Sequence, residues 1–177
     1  MSWTWGTEDD ALTIRIVDSN TDANDGSLFI KPNLKAALKQ LRHRNTDRKL
    51  WIDAVCIDQA NKDEKNEQVR MMADIYSKAK RVCVWLGEEK DNSELAVKFI
   101  KNEVLQLRDF DKLVDNDKKT PEWAALQALM SRDWFSRKWV VQEIALAKDA
   151  TLYVGKDTVS WSEFTLAVTL FERSVKD

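Results

Sequence analysis

The chain has 177 residues, enough for one domain with a sizeable core and too few for two of ordinary size. Its 28 Lys and Arg against 30 Asp and Glu give a net charge of −2, so no strong field draws it to nucleic acid or to an anionic membrane. The 44% hydrophobic and 33% charged residues fit a folded chain and exclude a disordered one. The predicted elements, in chain order, begin with a strand over residues 2–5 that ends at Gly6. Residues 12–17 and 28–30 then read as a hairpin with a long polar turn. Pro32 suits a first helical position, and Leu34, Ala37, Leu38 and Leu41 follow at helical spacing. The nearly continuous apolar run at 50–57, broken by Asp53, reads as a strand covered on both faces. Asn61 with Glu64 resembles a capping box, and Val69, Met72, Ala73 and Tyr76 give the next helix its apolar stripe. A β-branched strand at 81–86, ending at Gly87, completes a parallel strand, helix, strand unit.

Asp91 and Glu94 open a helix to about residue 107, and the mixed charges around 108–120 read as an exposed insertion loop. Thr120-Pro121-Glu122 starts a further helix over 123–130, and another spans 135–148. A strand at 151–154 and a turn at Gly155-Lys156-Asp157 lead back to 159–161. Ser160 with Glu163 then caps a last helix ending near Val175. Strands alternating with helices predict a single α/β domain over residues 1–177 with a mainly parallel sheet.

The scarce residue types exclude further chemistry. One His, His43, rules out a two-His metal cluster, and four scattered Gly rule out a GxGxxG turn or a Walker phosphate loop. No metal site and no cofactor is expected. The N-terminal residues lack the apolar core of a signal peptide, and no apolar run approaches the ~20 residues that span a bilayer. A cytoplasmic protein without membrane or nucleic-acid partners is the expectation, with Cys56 and Cys83 as reduced, buried thiols. Catalysis would then rest on carboxylates, hydroxyls or a thiol, with eight Trp as core mass and stacking surface.

Among the carboxylates, Glu143 differs in kind. Its helical neighbours are Trp139, Val140, Leu146 and Ala147, and a carboxylate among apolar side chains costs several kcal/mol unless paired, protonated or opened to a cleft. It is either an active-site group or one half of an ion pair with an Arg such as Arg132 or Arg137. Asp53 has the same two readings, with backbone hydrogen bonding the plainer one. Asp58 and Gln59 follow a predicted strand end, so they form a turn or part of a site.

Three blocks in order carry a family resemblance. Ser2-Trp-Thr-Trp-Gly6 with Ile30-Lys-Pro-Asn-Leu-Lys-Ala-Ala-Leu38 resembles the opening of the fungal heterokaryon incompatibility (HET) domain. Leu50-Trp-Ile-Asp-Ala-Val-Cys-Ile-Asp-Gln59, continuing to Trp85-Leu-Gly87, resembles its most characteristic block, and Trp134-Phe-Ser-Arg-Lys-Trp-Val-Val-Gln-Glu-Ile144 its third. The family has several more residues in its first strand, so the resemblance implies a shortened one here. It further implies a cell-death effector domain of nonself recognition, acting as a homo-oligomer and fused to or recruited by a receptor protein. The implied fold is the three-layer, flavodoxin-like arrangement of Toll/interleukin-1 receptor (TIR) domains, with helices on both faces of a mainly parallel sheet and added β-hairpins.

Enzymatic TIR domains carry a catalytic Glu in a Trp-x-x-x-Glu-Ile/Leu pattern, to which Trp139-Val-Val-Gln-Glu143-Ile144 is similar. The resemblance thus implies NAD+ as substrate and cleavage of its nicotinamide glycosidic bond, with Glu143 stabilising the oxocarbenium-like ribose. Trp5, Gly6, Asp53, Asp58, Gln59 and Trp139 are the candidates for lining the pocket. The alternative is a non-enzymatic effector acting by self-association or partner recruitment, with Glu143 in a structural ion pair.

Overall fold

The structure is a computed structural model that describes residues 1–6, 12–17, 26–106 and 119–174. The expected insertion loop, the polar turn before Gly26 and the helix end near Val175 lie outside the described residues. Strands β1 (Leu12–Ile16) and β2 (Gly26–Ile30) pair antiparallel, with Leu12 opposite Ile30, as the hairpin reading expects. Helix α1 (Pro32–Leu41) starts at its Pro, and its buried residues Leu34, Ala37 and Leu41 are the predicted stripe.

The run at 50–57 is not a strand. Ile52 is extended, but at Asp53 the chain turns into a one-turn helix, α2 (Asp53–Cys56). The Ile52 carbonyl accepts from the Val55 and Cys56 amides at 3.0 and 2.8 Å. An apolar run of this length has no period that separates a strand from a buried helical turn, and a helix-opening Asp decides it. Ile52 and Ile57 point into the core. Cys56 is exposed, against expectation, while Cys83 is buried.

Helix α3 (Lys62–Lys78) is capped by the Asn61 side chain, which accepts from the Asp63 and Glu64 amides. The reciprocal half of the predicted box is absent: Glu64 Oε1 instead accepts from the Asp58 amide at 3.1 Å. Of the helix's predicted apolar stripe, Tyr76 is buried and Val69 is 40% exposed. Strand β3 (Val82–Trp85) follows, and then α4 (Ser93–Asn102), continued by a short 3₁₀ turn at Val104–Gln106. Helix α5 (Thr120–Met130) begins at the predicted Thr-Pro pair.

The expected helix over 135–148 is broken in two. A 3₁₀ turn at Asp133–Ser136 is followed by extended backbone at Arg137 and then by the six-residue α6 (Val140–Ala145). Strands β4 (Ala150–Val154) and β5 (Asp157–Ser160) and helix α7 (Trp161–Ser174) complete the described chain. Ser160 and Glu163 make both bonds of the capping box: Ser160 N donates to Glu163 Oε2 at 2.7 Å and Glu163 N to Ser160 Oγ at 3.2 Å.

β3 pairs parallel with β4, and β4 antiparallel with β5, so the three-stranded sheet is mixed. The turn at Gly155 forces the antiparallel pair, because two residues suffice for a hairpin and never for a parallel crossover. Gly155 has φ +54°, and a Cβ there would lie 3.0 Å from the Glu89 amide nitrogen. The predicted first strand reduces to a single parallel bridge between Ser2 and Val84. Ser2 N donates to Cys83 O and Trp85 N to Ser2 O, both at 2.8 Å.

All four residues of β3 are buried, and their alternation feeds two cores. Val82 and Val84 pack with Phe99, Ile100, Leu126, Leu129 and Leu152 of the larger core. Cys83 and Trp85 face Trp3, Leu34, Ala37 and Leu41. The architecture is mixed α/β, with α1 on one face of the small sheet and α4, α5 and α7 on the other.

Candidate functional site

Arg137 and Glu143 meet because the backbone is extended at Arg137. That break lets the guanidinium fold back over α6, whose first turn carries Glu143. Arg137 donates to Glu143 Oε1 at 3.3 Å, and the hydroxyl of Ser2, 141 residues away, donates to Oε2. Ser2 Oγ in turn accepts from the Trp134 indole at 2.7 Å. Glu143 is 1% exposed, so its charge is compensated inside the protein and not by water. Tyr76 lies beside the group: burial, reinforced by the Glu143 charge and a hydrogen bond to it, pushes the phenol well above its usual range. Trp139, four residues before Glu143, is 53% exposed and contributes its carbonyl to the Gln142 and Glu143 amides.

Four clefts of about 500 to 900 Å³ are lined by described residues, and Glu143 is in the wall of none of them. Three of the expected pocket residues do come together. Trp5, Asp58 and Gln59 share a mostly apolar cleft of about 690 Å³ with Trp3, Phe29 and Val55. Trp5 is 40% exposed and stacks on Trp3 at 5.5 Å and 21°. Asp58 Oδ1 accepts from the Ala60 amide at 2.9 Å, and Gln59 Nε2 donates to the Asp53 carbonyl at 3.0 Å, so both side chains also hold the turn after α2. Asp53 accepts from the Trp3 indole and from the Ala54 amide, both at 2.8 Å. Gly6, with φ +73°, lines a neighbouring cleft of about 500 Å³ with Thr4, Gly87, Arg132 and Trp134.

Arg132, the other Arg considered as a partner of Glu143, serves elsewhere. It is 5% exposed, and its guanidinium donates to the carbonyls of Leu86, Glu88 and Lys90, fastening the loop after β3. Burial lowers its pKa. That loop carries left-handed backbone at Gly87, Asp91 and Asn92, two of them without the freedom of glycine. Ser2 and Tyr76 were not legible as neighbours of Glu143, nor Trp134 as a partner of Ser2, because contacts across 67 to 141 positions leave no local spacing to read.

The family model described as heterokaryon incompatibility protein (HET) matches residues 1–143, a stretch that holds Ser2, Asp53, Trp134, Arg137 and, at its last position, Glu143. The chain belongs to the HET family. This HET chain is also 30% identical over 214 aligned residues to heterokaryon incompatibility protein 6, OR allele, of Neurospora crassa. The alignment takes in 99% of the HET chain and 31% of that protein, so the chain spans about a third of its relative's length. No solved structure matches it. Among the described residues, no helix is long and apolar enough to cross a membrane.

Proposed function

We propose that this HET chain is a cell-death effector domain of fungal nonself recognition, acting in the cytoplasm through contacts with copies of itself or with a recruited partner. The family and the name of the Neurospora relative support the role. The observation that carries the mode of action is the closure of Glu143: a carboxylate 1% exposed, with Arg137 on one oxygen and Ser2 on the other, has no room for a ribose. Its work is to hold α6 against the N-terminal segment. The expected result is that fungal cells expressing the chain die equally with Glu143 or with any Glu143 substitution that leaves the melting temperature unchanged. Purified chain should release no nicotinamide from NAD+ at any protein concentration.

A second reading is favoured by the cleft that Trp5, Asp58 and Gln59 share, whose size and aromatic wall suit a nicotinamide ribose. In it the resemblance of Trp139 to Ile144 to the pattern of enzymatic TIR domains extends to chemistry, and self-association opens the network around Glu143. Nicotinamide release that rises with protein concentration and disappears in Glu143→Gln would establish this reading and displace the first.

A further inference from the structure

The largest of these four clefts, about 900 Å³, lies at the opposite end of the sheet from Gly6 and the loop after β3. Its wall includes Lys80 and Arg81, just before β3, and Asp149, just before β4. Five cationic side chains line it, Arg48, Lys49, Lys78, Lys80 and Arg81, against the two carboxylates Asp47 and Asp149. A surplus of three positive charges around one cavity is notable in a chain whose net charge is −2.

Internal partners do not use up this surplus. Arg81 is held by Asp149 at 2.6 Å and Lys78 by Asp74 at 2.9 Å. Lys49 and Lys80 are exposed and have no carboxylate partner among the described residues, and one amino group of Arg48 is spent on the Leu41 carbonyl at 2.9 Å. The wall is not uniformly polar. Half-buried Trp51, whose ring meets Tyr76 at 6.4 Å and 77°, supplies aromatic surface between the basic segments 48–49 and 80–81.

We propose that this cleft binds a nucleoside di- or triphosphate, with the base against Trp51 and the phosphates on Lys49, Lys80 and Arg48. The volume falls within the range of about 300–1,000 Å³ usual for small-ligand sites. A ring beside Trp51 gains stacking and burial, while unpaired ammonium groups at the rim supply charge without first breaking an ion pair. The small, concave site and the acidic remainder of the molecule suit a compact polyanion over an extended nucleic acid. The inference is independent of the role given to Glu143, which is not in this wall.

Isothermal titration of the purified chain with ATP, tripolyphosphate and adenosine tests it, with a thermal melt as the fold control. Saturable ATP binding is expected, weakened about tenfold or more in Lys49→Glu/Lys80→Glu and by raised salt, and unaffected in Lys65→Glu on the exposed side of α3. Tripolyphosphate and adenosine should each bind more weakly than ATP. Absence of saturable ATP binding at low salt, or equal binding by a double variant with an unchanged melt, overturns the proposal. Tripolyphosphate binding as tightly as ATP overturns the part assigned to Trp51.

Discussion

The Glu143 carboxylate is withdrawn from water while its Arg137 partner keeps a quarter of its side chain exposed. The pair is therefore asymmetric: removing the acid strands a cation that has some access to solvent, together with the wholly buried Ser2 hydroxyl and an Arg137 amino nitrogen that already lacks a partner. Breaking a buried pair by deleting one member typically costs about 3–5 kcal/mol, more than the pair's own net worth, because the desolvated remainder is left uncompensated. Glu143→Ala should lose stability on that scale in urea unfolding. Double substitution Glu143→Leu/Arg137→Met should lose less than Glu143→Ala alone, since it removes both charges. A loss for Glu143→Ala below about 1 kcal/mol would show that the network contributes little. Asp53 is the milder case: half-buried, it accepts from an indole and an amide and needs no cation.

At the scale of elements, the ends of helices are where local sequence and structure agree best. The capping box at the start of α7 is complete, and the bond from the Ser160 amide, followed by the one from its hydroxyl, holds the Glu163 carboxyl below its ordinary value of about 4.5. A carboxyl whose folded pKa is depressed adds stability that is present above its unfolded value and is lost as the pH falls through that value toward the folded one. The acid limb of the stability curve below pH about 4.5 should therefore be shallower in Glu163→Gln, measured by urea titration at each pH. Ser160→Ala should cost about 1 kcal/mol at neutral pH. Where an element depends on a partner far away in sequence, local signals mislead: the apolar run at 50–57 has strand composition, yet the chain turns into a helix at Asp53, whose carboxylate accepts from the Trp3 indole. The predicted helix over 135–148 breaks at Arg137, where the backbone is extended and the guanidinium reaches Glu143.

On the scale of the whole molecule, β3 couples the two cores, since Val82 and Val84 belong to one and Cys83 and Trp85 to the other. A strand shared in this way makes separate melting of the two faces costly, because either core loses its wall when the other unfolds. Trp3 and Trp85 sit in one core and Trp134 in the other, so tryptophan fluorescence and far-ultraviolet circular dichroism should give one coincident thermal transition; two resolved midpoints would refute the coupling. Read without the fold, the sequence already identifies the family, the hairpins, the stripe of α1, the caps of α3 and α7, and Glu143 as the exceptional carboxylate, because each is written in neighbouring residues or in ordered motifs. It also names Arg137 among two possible partners. It takes the folded chain to show that Arg137 holds the carboxylate while Arg132 fastens the loop after β3, that Ser2 closes the network, and that the sheet is mixed. The fold also decides that five basic residues and Trp51 surround one cleft. The Arg137–Glu143 bond spans six positions but needs the helix to break between them; the other outcomes turn on contacts across tens to more than a hundred positions, and no local periodicity encodes any of them.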